Sequence, residues 1–260
     1  MTYLPPKSQQ PHPFGHEFTH LAETINHLGF DGVLYTFYPK PMYLCSKVQP
    51  VLHYSESFAP FVAHYIKNNY GNRDFVLRLA LQNRKKKAID WWEEINRGNV
   101  SREERAVTED ARKNFGIQYG LSIPALKGIY AISGISVISQ NPCPIHFQKL
   151  KKIHIDQLFE LARQYHARIV NSKAELRFFL HPLLERLNNT QKKVIKHLLA
   201  GQPMKNIPHT SGVTPRYAEK TLNSLRQELG GITTNELIYL LGMIGIGDDF
   251  DEDDDENGDL

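Results

Sequence analysis

The amino-acid sequence predicts an α+β domain, an antiparallel sheet with helices on both faces, joined to an all-α unit of four short helices. Over the first ~170 residues, apolar side chains switch repeatedly between the roughly 3.6-residue spacing of helices and the alternating spacing of strands. Residues 187–247 contain helical spacing alone. Pro182 lies between the two parts and interrupts any continuous helix. Because sheets and helices bury their apolar faces together, the mixed part is expected to fold as packed layers.

Four segments follow from this division. The α+β domain is expected to occupy residues 14–172, after a polar, proline-rich start, and the four-helix unit is expected to occupy residues 187–247. Residues 173–186 are the predicted linker. Residues 248–260 contain nine acidic side chains and no Lys or Arg, so this tail is expected to be disordered.

The charge of the chain is distributed unevenly. The 260 residues carry a formal net charge of +3, and because the tail holds nine acids, the rest of the chain stands at +12. A body this basic favours a polyanionic partner such as nucleic acid. The alternative is an ordinary soluble protein with a slight basic bias.

The composition argues against a membrane or secreted protein. Hydrophobic residues make up 41% of the chain, and no run approaches the ~20 apolar residues of a membrane-spanning helix. The first residues contain no apolar stretch typical of an export signal. Cys45 and Cys143 form neither a disulfide framework nor a metal-ligand pattern. We therefore expect a cytoplasmic protein without membrane contact.

The first elements of the α+β domain have clear local patterns. His16–Leu28 shows helical spacing, and Gly29 stands where a helix would end. The residues from Gly32 onward are rich in β-branched and aromatic side chains and predict a strand. Met42–Val48 and Val51–Tyr54 are expected to extend that strand into a sheet.

Several helices are predicted next. Phe58–Asn69 and Arg73–Asn83 show helical spacing, and the second is expected to be N-capped by Asp74 or by Asn72. Ser101–Asn114 begins with the four-residue pattern of a capping box.

The last part of the α+β domain predicts a hairpin and a long helix. Phe115–Pro124 and Gly128–Ser139 read as two antiparallel strands. Ile145–Val170 is predicted to be one long amphipathic helix.

The four-helix unit contains a helix-turn-helix pattern. A bracing helix is expected to begin after Gly201, with the turn at His209–Thr214. Thr214 is a suitable N-cap for the following helix, and Pro215 is well placed at its first position. Pro208 is expected to shorten or kink the bracing helix.

The helix after this turn carries side chains suited to DNA. Such a helix can lie in the major groove with its N-terminal side chains at base edges. Residues 187–247 hold seven basic and three acidic side chains, a net charge of +4. The candidate DNA-binding residues are Thr214, Arg216, Tyr217, Lys220, Asn223 and Arg226. The alternative is a small helical bundle with a solvated basic face.

Enzyme motifs are missing from the sequence. It contains no Gly-x-Ser-x-Gly elbow, phosphate-binding loop, His-Glu-x-x-His or Cys-x-x-Cys. His146, His154 and His166 lie on or near one helix without the spacing of a metal site, and solvated positions are expected for all three. We expect no catalytic residue, no metal and no enzyme activity.

These features resemble the LuxR-type transcription regulators. Leu187–Gly247 resembles their C-terminal DNA-binding domain, with departures at Gln191, Pro208 and Glu228. The first ~170 residues resemble their N-terminal autoinducer-binding domain. There, Phe115–Pro124 is the closest match to a family signature, and its glycine is Gly120.

The resemblance implies an acyl-homoserine lactone between the sheet and the helices. In the family a Tyr and a Trp bond the carbonyls of the lactone and an Asp bonds its amide N–H. The candidate ligand-binding residues are Tyr65, Asp74, Trp91, Trp92, Phe61 and Ser136.

The positional matches differ in kind. Tyr65 and Asp74 match the family Tyr and Asp, and the lactone-carbonyl Trp maps to Trp91 or Trp92. Ser136 falls at a small hydroxyl site. Phe61 replaces a usual pocket Trp, and Phe75 replaces the Pro after the Asp.

Each of these residues also has a structural interpretation. Asp74 is suited to a helix N-cap and Tyr65 to ordinary core packing. One of Trp91 and Trp92 is expected to be structural, and Ser136 is typical of any strand. A carboxylate buried among aromatics costs free energy unless it is bonded, and a ligand N–H can supply that bond.

The resemblance implies a quorum-sensing regulator that binds an acyl-homoserine lactone and promoter DNA as a homodimer. Ile145–Val170 is the candidate dimer face, and no cofactor beyond the small-molecule signal is expected. The alternative keeps the fold and changes the ligand, to a different small molecule or to none. The acidic tail is expected to aid solubility or to compete with DNA for the basic face.

Overall fold

The computed structural model describes residues 15–39, 52–82, 87–127, 131–172, 174–176, 178–179, 187–228 and 231–244. The chain forms two compact units. The first comprises the described residues within Met1–Thr36, Leu52–Lys127 and Ser133–Ala167. The second comprises the described residues within Phe37–Val51, Gly128–Ile132 and Arg168–Leu260.

The α+β part contains one five-stranded antiparallel sheet with strand order β2-β1-β5-β4-β3. Its strands are β1 (Gly32–Pro39), β2 (Leu52–Tyr54), β3 (Ile89–Asp90), β4 (Tyr119–Lys127) and β5 (Ala131–Ser139). Its helices are α1 (Gly15–His27), α2 (Ala59–Lys67), α3 (Phe75–Gln82), α4 (Trp91–Asn96), α5 (Arg102–Phe115) and α6 (Pro144–Asn171). Short 3₁₀ turns at Glu56–Phe58 and Tyr70–Arg73 flank α2.

Local signals placed most of these boundaries within two residues. Ser101 forms the predicted capping box with Glu104 at the start of α5. Gly116, with φ of 69°, ends α5 in the left-handed conformation that glycine adopts without strain. The expected strand from Phe115 therefore begins only at Tyr119.

Helices cover both faces of the sheet, as predicted. On one face, the ring of Tyr119 stacks on Phe147 of α6 at 5.0 Å, and Tyr35 of β1 meets Tyr165 of α6 at 4.8 Å. The opposite face carries an apolar cluster built by α2 to α5 and the sheet. Its buried members are Phe58, Phe61, Val62, Phe75, Ile89, Trp91, Ile95, Val107, Ala111, Ile117 and Ile138.

His166 of α6 is buried, and the prediction of a solvated position for it is wrong. Its Nδ1 lies 3.0 Å from both the hydroxyl of Tyr35 and the hydroxyl of Ser133. Burial lowers the pKa of His166 to about 4, so the ring is neutral at pH 7. Sequence spacing missed this position because the histidine lies beside the apolar stripe that faces the sheet.

The second unit holds the C-terminal helices. They are α7 (Asn189–Leu199), α8 (Ile207–Ser211), α9 (Pro215–Glu228) and α10 (Thr234–Ile244), with a 3₁₀ turn at Met204–Asn206 before α8. Their buried apolar side chains include Val194, Ile195, Ile207, Ala218, Leu222, Leu225, Ile232, Leu237 and Leu241. Asn188 and Gln191 form a reciprocal capping box at the start of α7, so Gln191 fills this role.

The turn between α8 and α9 is shorter than predicted. Residues His209–Ser211 are helical, and Gly212, with φ of 68°, ends α8. Pro208 stands in the first turn of α8, a helix of five residues, which agrees with the expected shortening. Thr214 caps α9 by accepting from the backbone N–H of Tyr217 at 3.4 Å, and Pro215 is the first residue of α9, as expected.

Three sequence predictions lie outside the described residues. They concern the strand at Met42–Val48, most of the linker at 173–186 and the acidic tail at 248–260.

Candidate functional site

The site is built around a carboxylate and a phenol that the chain places nine residues apart. The hydroxyl of Tyr65, on α2, donates to Oδ2 of Asp74 at 2.7 Å. Asp74 stands directly before α3, and the 3₁₀ turn Tyr70–Arg73 brings it back towards α2. The two residues predicted by position are therefore in direct contact.

Asp74 also caps α3. Its Oδ1 accepts from the backbone N–H groups of Val76 at 2.7 Å and Leu77 at 3.3 Å. Of the two capping residues considered, Asp74 rather than Asn72 fills the role. The cap engages one carboxylate oxygen, and the other oxygen can accept a second hydrogen bond beside that of Tyr65.

Burial raises the pKa of the Asp74 carboxyl above its ordinary value, and the negative charge of Glu104 adds to this. The hydrogen bonds from Tyr65 and from the backbone of α3 act in the opposite direction. The carboxylate is thus held at a free-energy cost, which a further hydrogen-bond donor would reduce.

Aromatic rings surround this pair. Phe61 is buried, and its ring meets those of Tyr65 at 6.0 Å and Phe115 at 5.5 Å, both edge-on. The Tyr65 ring also meets that of Tyr70 at 6.0 Å. These rings belong to or pack against the apolar cluster on this face of the sheet, so the surroundings of the carboxylate are hydrophobic.

Trp91 lies flat against the sheet over Gly120. A Cβ added at Gly120 would stand 2.2 Å from the Trp91 ring, so only glycine leaves room for the indole. The Nε1 of Trp91 donates to the hydroxyl of Ser122 at 2.9 Å. The Ser122 hydroxyl lies 2.7 Å from that of Ser136 on the neighbouring strand.

Trp92 occupies a different environment. Its Nε1 donates to the carbonyl oxygen of Gln118 at 2.8 Å, and the guanidinium of Arg112 lies 3.8 Å from the centre of its ring. Arg112 also donates to the Gln118 carbonyl at 3.1 Å. Trp92 is only partly buried, whereas Trp91 is a buried member of the apolar cluster.

A second polar cluster joins α2 to α5 beside the Tyr65 ring. Asp110 Oδ2 lies 2.9 Å from Nε2 of His64 and accepts from the hydroxyl of Tyr70 at 2.8 Å. Arg78 of α3 binds both carboxylate oxygens of Glu104, at 2.6 and 3.0 Å. These contacts hold the α2–α3 segment, which carries Tyr65 and Asp74, against α5.

Sequence reasoning missed three residues of this site. Ser122 bridges Trp91 and Ser136, Arg112 stacks on Trp92, and Asp90 caps the helix that carries both tryptophans. Only Asp90 had a local signal, since Asp before a helix is a common N-cap. The other two depend on pairing between distant segments.

The predicted DNA-binding residues lie on α9 or cap it. Among them, Tyr217 is 54% exposed, and Thr214, Arg216, Lys220 and Asn223 are also exposed. Arg226 differs, because its Nε donates to the carbonyl oxygen of Ile232 at 2.7 Å and its Nη1 donates to Asn223. Arg226 therefore has a structural contact within the unit.

None of the helices in the described ranges is long and apolar enough to cross a membrane. The same residues contain no group of three or more His, Cys, Asp or Glu side chains arranged to hold a metal ion.

Comparison with known proteins identifies one family. Residues 16–169 match the family model described as Autoinducer binding domain. A comparison with curated proteins found no significant match.

Solved structures show similarity at low identity. SdiA of Escherichia coli is 11% identical, over 92% of this chain and 94% of that chain, with a TM-score of 0.46. CepR2 from Burkholderia cenocepacia, described as an N-acylhomoserine lactone dependent LuxR family transcription factor, is 16% identical, over 60% and 87%, with a TM-score of 0.44. The VqsR ligand-binding domain from Pseudomonas aeruginosa is 13% identical, over 60% and 88%, with a TM-score of 0.42.

Proposed function

We propose that this chain, which belongs to the autoinducer binding domain family, is a quorum-sensing transcription regulator of the LuxR type. In this proposal an acyl-homoserine lactone binds beside Tyr65 and Asp74, and the protein binds promoter DNA as a dimer in the cytoplasm. The observation that carries the proposal is the half-buried Asp74 carboxylate, held by Tyr65 within an aromatic cluster.

The Asp74 carboxylate is suited to an amide N–H of the ligand. Its Oδ2 accepts from Tyr65 and keeps capacity for a second donor. A hydrogen bond to a buried carboxylate is stronger than one to a neutral acceptor, because the surroundings screen its charge poorly. The ligand N–H would thereby offset part of the cost of burying Asp74.

The Ser136 hydroxyl is suited to a ligand carbonyl. The Trp91 N–H donates to the Ser122 hydroxyl, which lies 2.7 Å from the Ser136 hydroxyl, and in this proposal Ser122 donates its own hydrogen to Ser136. The Ser136 hydroxyl can then donate its own hydrogen to a ligand. In this arrangement Trp91 acts on the ligand through two hydroxyls and through ring contact.

Apolar side chains on the same face can hold an acyl chain. The partly buried hydrophobic residues that pack against the cluster come from the sheet, from α2 to α5 and from the turns between them. They include Leu34, Leu52, Tyr54, Ile66, Val76, Leu79 and Trp92. Ligand pockets are commonly apolar with a few oriented polar groups, and this cluster has that composition.

The second unit supports the DNA-binding part of the proposal. α9 presents Arg216, Tyr217, Lys220 and Asn223 to solvent, with Arg216 in its first turn. Arginine and asparagine side chains can read bases, and lysine contacts phosphates. We place Arg226 outside the DNA-contacting set because it bonds Ile232.

The exposed apolar residues of α6 support a dimer. Ile145 is 78% exposed and Ile153 is 58% exposed, eight residues further along α6. Large apolar side chains at helical spacing on an exposed face favour burial against another surface. A two-fold dimer would present two α9 helices to a two-fold DNA site.

A ligand titration tests the proposal. The chain contains two tryptophans, Trp91 and Trp92, and both stand at the candidate site, so intrinsic fluorescence reports on it directly. We expect N-octanoyl-homoserine lactone to change this fluorescence saturably, and its ring-opened acid to bind more weakly. Mass spectrometry should find an acylated lactone in protein purified from cells that contain a lactone synthase.

The second candidate function keeps the fold and changes the signal. Phe61 offers no hydrogen-bond donor, and the N–H groups of both tryptophans already donate within the chain. These observations favour a ligand with fewer carbonyl acceptors than an acyl-homoserine lactone. A non-lactone molecule that co-purifies equally from cells without a lactone synthase would support this candidate and overturn the lactone proposal.

A further inference from the structure

We propose that Asp90 is the positioning residue for the tryptophan pair, and that its ion pair with Lys151 couples the ligand site to α6. This inference rests on the proposed function, because it assumes that Trp91 contacts the signal and that α6 forms the dimer. It adds a direct connection between the ligand site and the proposed dimer helix α6.

The Asp90 carboxylate fixes how α4 leaves the sheet. Asp90 is the last residue of β3, is 4% exposed and is the N-cap of α4. Its Oδ1 accepts from the backbone N–H groups of Trp92 at 3.2 Å and Glu93 at 3.1 Å. Trp91 is the first residue of α4, so the cap determines where its ring meets the sheet.

The other oxygen of the same carboxylate faces α6. Lys151 donates to Asp90 Oδ2 at 2.9 Å, and Gln148, one turn earlier on α6, donates to it at 3.3 Å. Lys151 also pairs with Glu93 of α4. The two oxygens of Asp90 thus divide their bonds between the tryptophan helix and the long helix.

Burial makes this connection stiff. Exposed ion pairs such as Arg105–Glu109 contribute little, because water replaces either partner easily. The Asp90 side chain is 3% exposed and that of Lys151 is 21% exposed. A buried carboxylate that loses its cation is strongly destabilised, so a displacement of α6 must carry Asp90 with it or break the pair.

The indole N–H groups of the two tryptophans do not contact α6. The indole hydrogen bonds hold Trp91 to Ser122 of β4 and Trp92 to the Gln118 carbonyl, whereas Asp90 holds their helix to α6. A ligand that moves Trp91 would therefore alter α4 and, through Asp90, the position of α6.

The test compares Asp90→Asn, Lys151→Met and their combination in the full chain. Asparagine still caps a helix, so Asp90→Asn removes the charge partner while it keeps the cap. Lys152→Met is the matched control, because Lys152 is the exposed neighbour of Lys151 on α6. The readouts are tryptophan emission without ligand, affinity for N-octanoyl-homoserine lactone, dimer dissociation by sedimentation and resistance to urea.

We expect Asp90→Asn and Lys151→Met each to shift the emission maximum and to weaken both lactone binding and dimerisation about three- to tenfold. The double variant should bind lactone and dimerise no more weakly than the more impaired single variant, because both substitutions remove the same Asp90–Lys151 ion pair. Lys152→Met should match the wild type in tryptophan emission, lactone affinity and resistance to urea.

Two results would overturn the proposal in separable ways, and a third would overturn only the proposed signal. Unchanged emission in both single variants, with only urea resistance lowered, would make the pair purely structural. An emission shift in Asp90→Asn without one in Lys151→Met would leave α6 uncoupled. If the wild type binds no lactone, the proposed signal fails, while the emission and sedimentation readouts still decide whether Asp90 couples the tryptophans to α6.

Discussion

The hydroxyl of Tyr65 donates to Oδ2 of Asp74 at 2.7 Å, while Oδ1 of the same carboxylate caps α3. One oxygen of this carboxylate thereby caps the adjacent helix, and the other holds Tyr65 of α2. The cap requires only one oxygen, and asparagine can also provide it. The negative charge is therefore not needed to form α3. At the proposed site it would strengthen a hydrogen bond from the ligand N–H.

Asp74→Asn should separate folding from ligand response. Burial raises the pKa of Asp74, so removing its charge is expected to leave the free energy of unfolding at pH 7 unchanged or higher. Lactone affinity should fall about tenfold or more, because a hydrogen bond to a charged group contributes roughly 1.5–3 kcal/mol. Fluorescence titration and urea unfolding measure the two effects.

Tyr65→Phe and Asn72→Ala complete this comparison. Tyr65→Phe should weaken lactone binding less than Asp74→Asn, since the backbone of α3 still holds the carboxylate. Asn72→Ala should leave affinity unchanged, because Asn72 is exposed and Asp74 is the cap. Unchanged affinity in Asp74→Asn would remove Asp74 from the proposed site.

Gly120→Ala should displace Trp91. The new methyl group would stand 2.2 Å from the indole, so either the ring or the strand must move, at about 1–3 kcal/mol of stability. We expect a red-shifted tryptophan emission and weaker lactone binding. Gly15→Ala is the control, since a Cβ there meets nothing within 4 Å and its φ is not positive. Equal behaviour of the two variants would contradict the packing of Trp91 on Gly120.

His166 should make the fold sensitive to acid. Its pKa is lowered from 6.5 to about 4 by burial, so the folded state binds a proton less readily than the unfolded chain. The stability that depends on the neutral ring is complete above pH 6.5 and is lost as the pH falls towards 4. The full loss is roughly 3 kcal/mol at the lowest pH.

Urea unfolding between pH 7.5 and about pH 4.5 checks the role of His166. His166→Gln should be less stable than the wild type at pH 7.5 and should show a flatter pH dependence over this range. His146→Gln removes an exposed histidine of the same helix and should retain the wild-type slope. A wild-type slope in His166→Gln would assign the acid sensitivity to other groups.

Two arginines of α9 should behave differently. Arg226→Ala removes the bond to the Ile232 carbonyl and should lower the thermal midpoint of the second unit. Arg216→Ala should leave that midpoint unchanged and reduce affinity for duplex DNA, with a shallower dependence on salt. Fluorescence anisotropy with a labelled duplex measures the affinity. Equal DNA affinity in Arg216→Ala and wild type would place the DNA contact elsewhere.

Short-range patterns predicted the elements of this fold well. The capping box at Ser101, the cap at Thr214 and the helix from Ile145 each depend on residues no more than four apart, so they can be read along the chain. The short strand β3 and helix α4 went unpredicted, because segments of two and six residues carry too little periodicity.

The candidate site also has features that could be predicted from the sequence and features that depend on tertiary packing. The positions of Tyr65 and Asp74 and their spacing came from the sequence and its resemblance to a family. Their direct bond required the 3₁₀ turn to fold α3 back on α2. The different environments of Trp91 and Trp92 depend on which ring meets Gly120, and that depends on the packing of α4 on the sheet.

The sequence by itself determined most of the helices, the main strands and their caps, because these follow from neighbours within a turn or from residue type. Its resemblance to a family indicated the candidate pair Tyr65 and Asp74. Tertiary structure alone decided the contacts of Trp91 with Ser122 and of Asp90 with Lys151, which join residues 31 and 61 positions apart. Such pairs depend on strand register and on how α6 packs on the sheet, and no local preference encodes either. The proposed link between the ligand site and α6 therefore exists only in the folded chain.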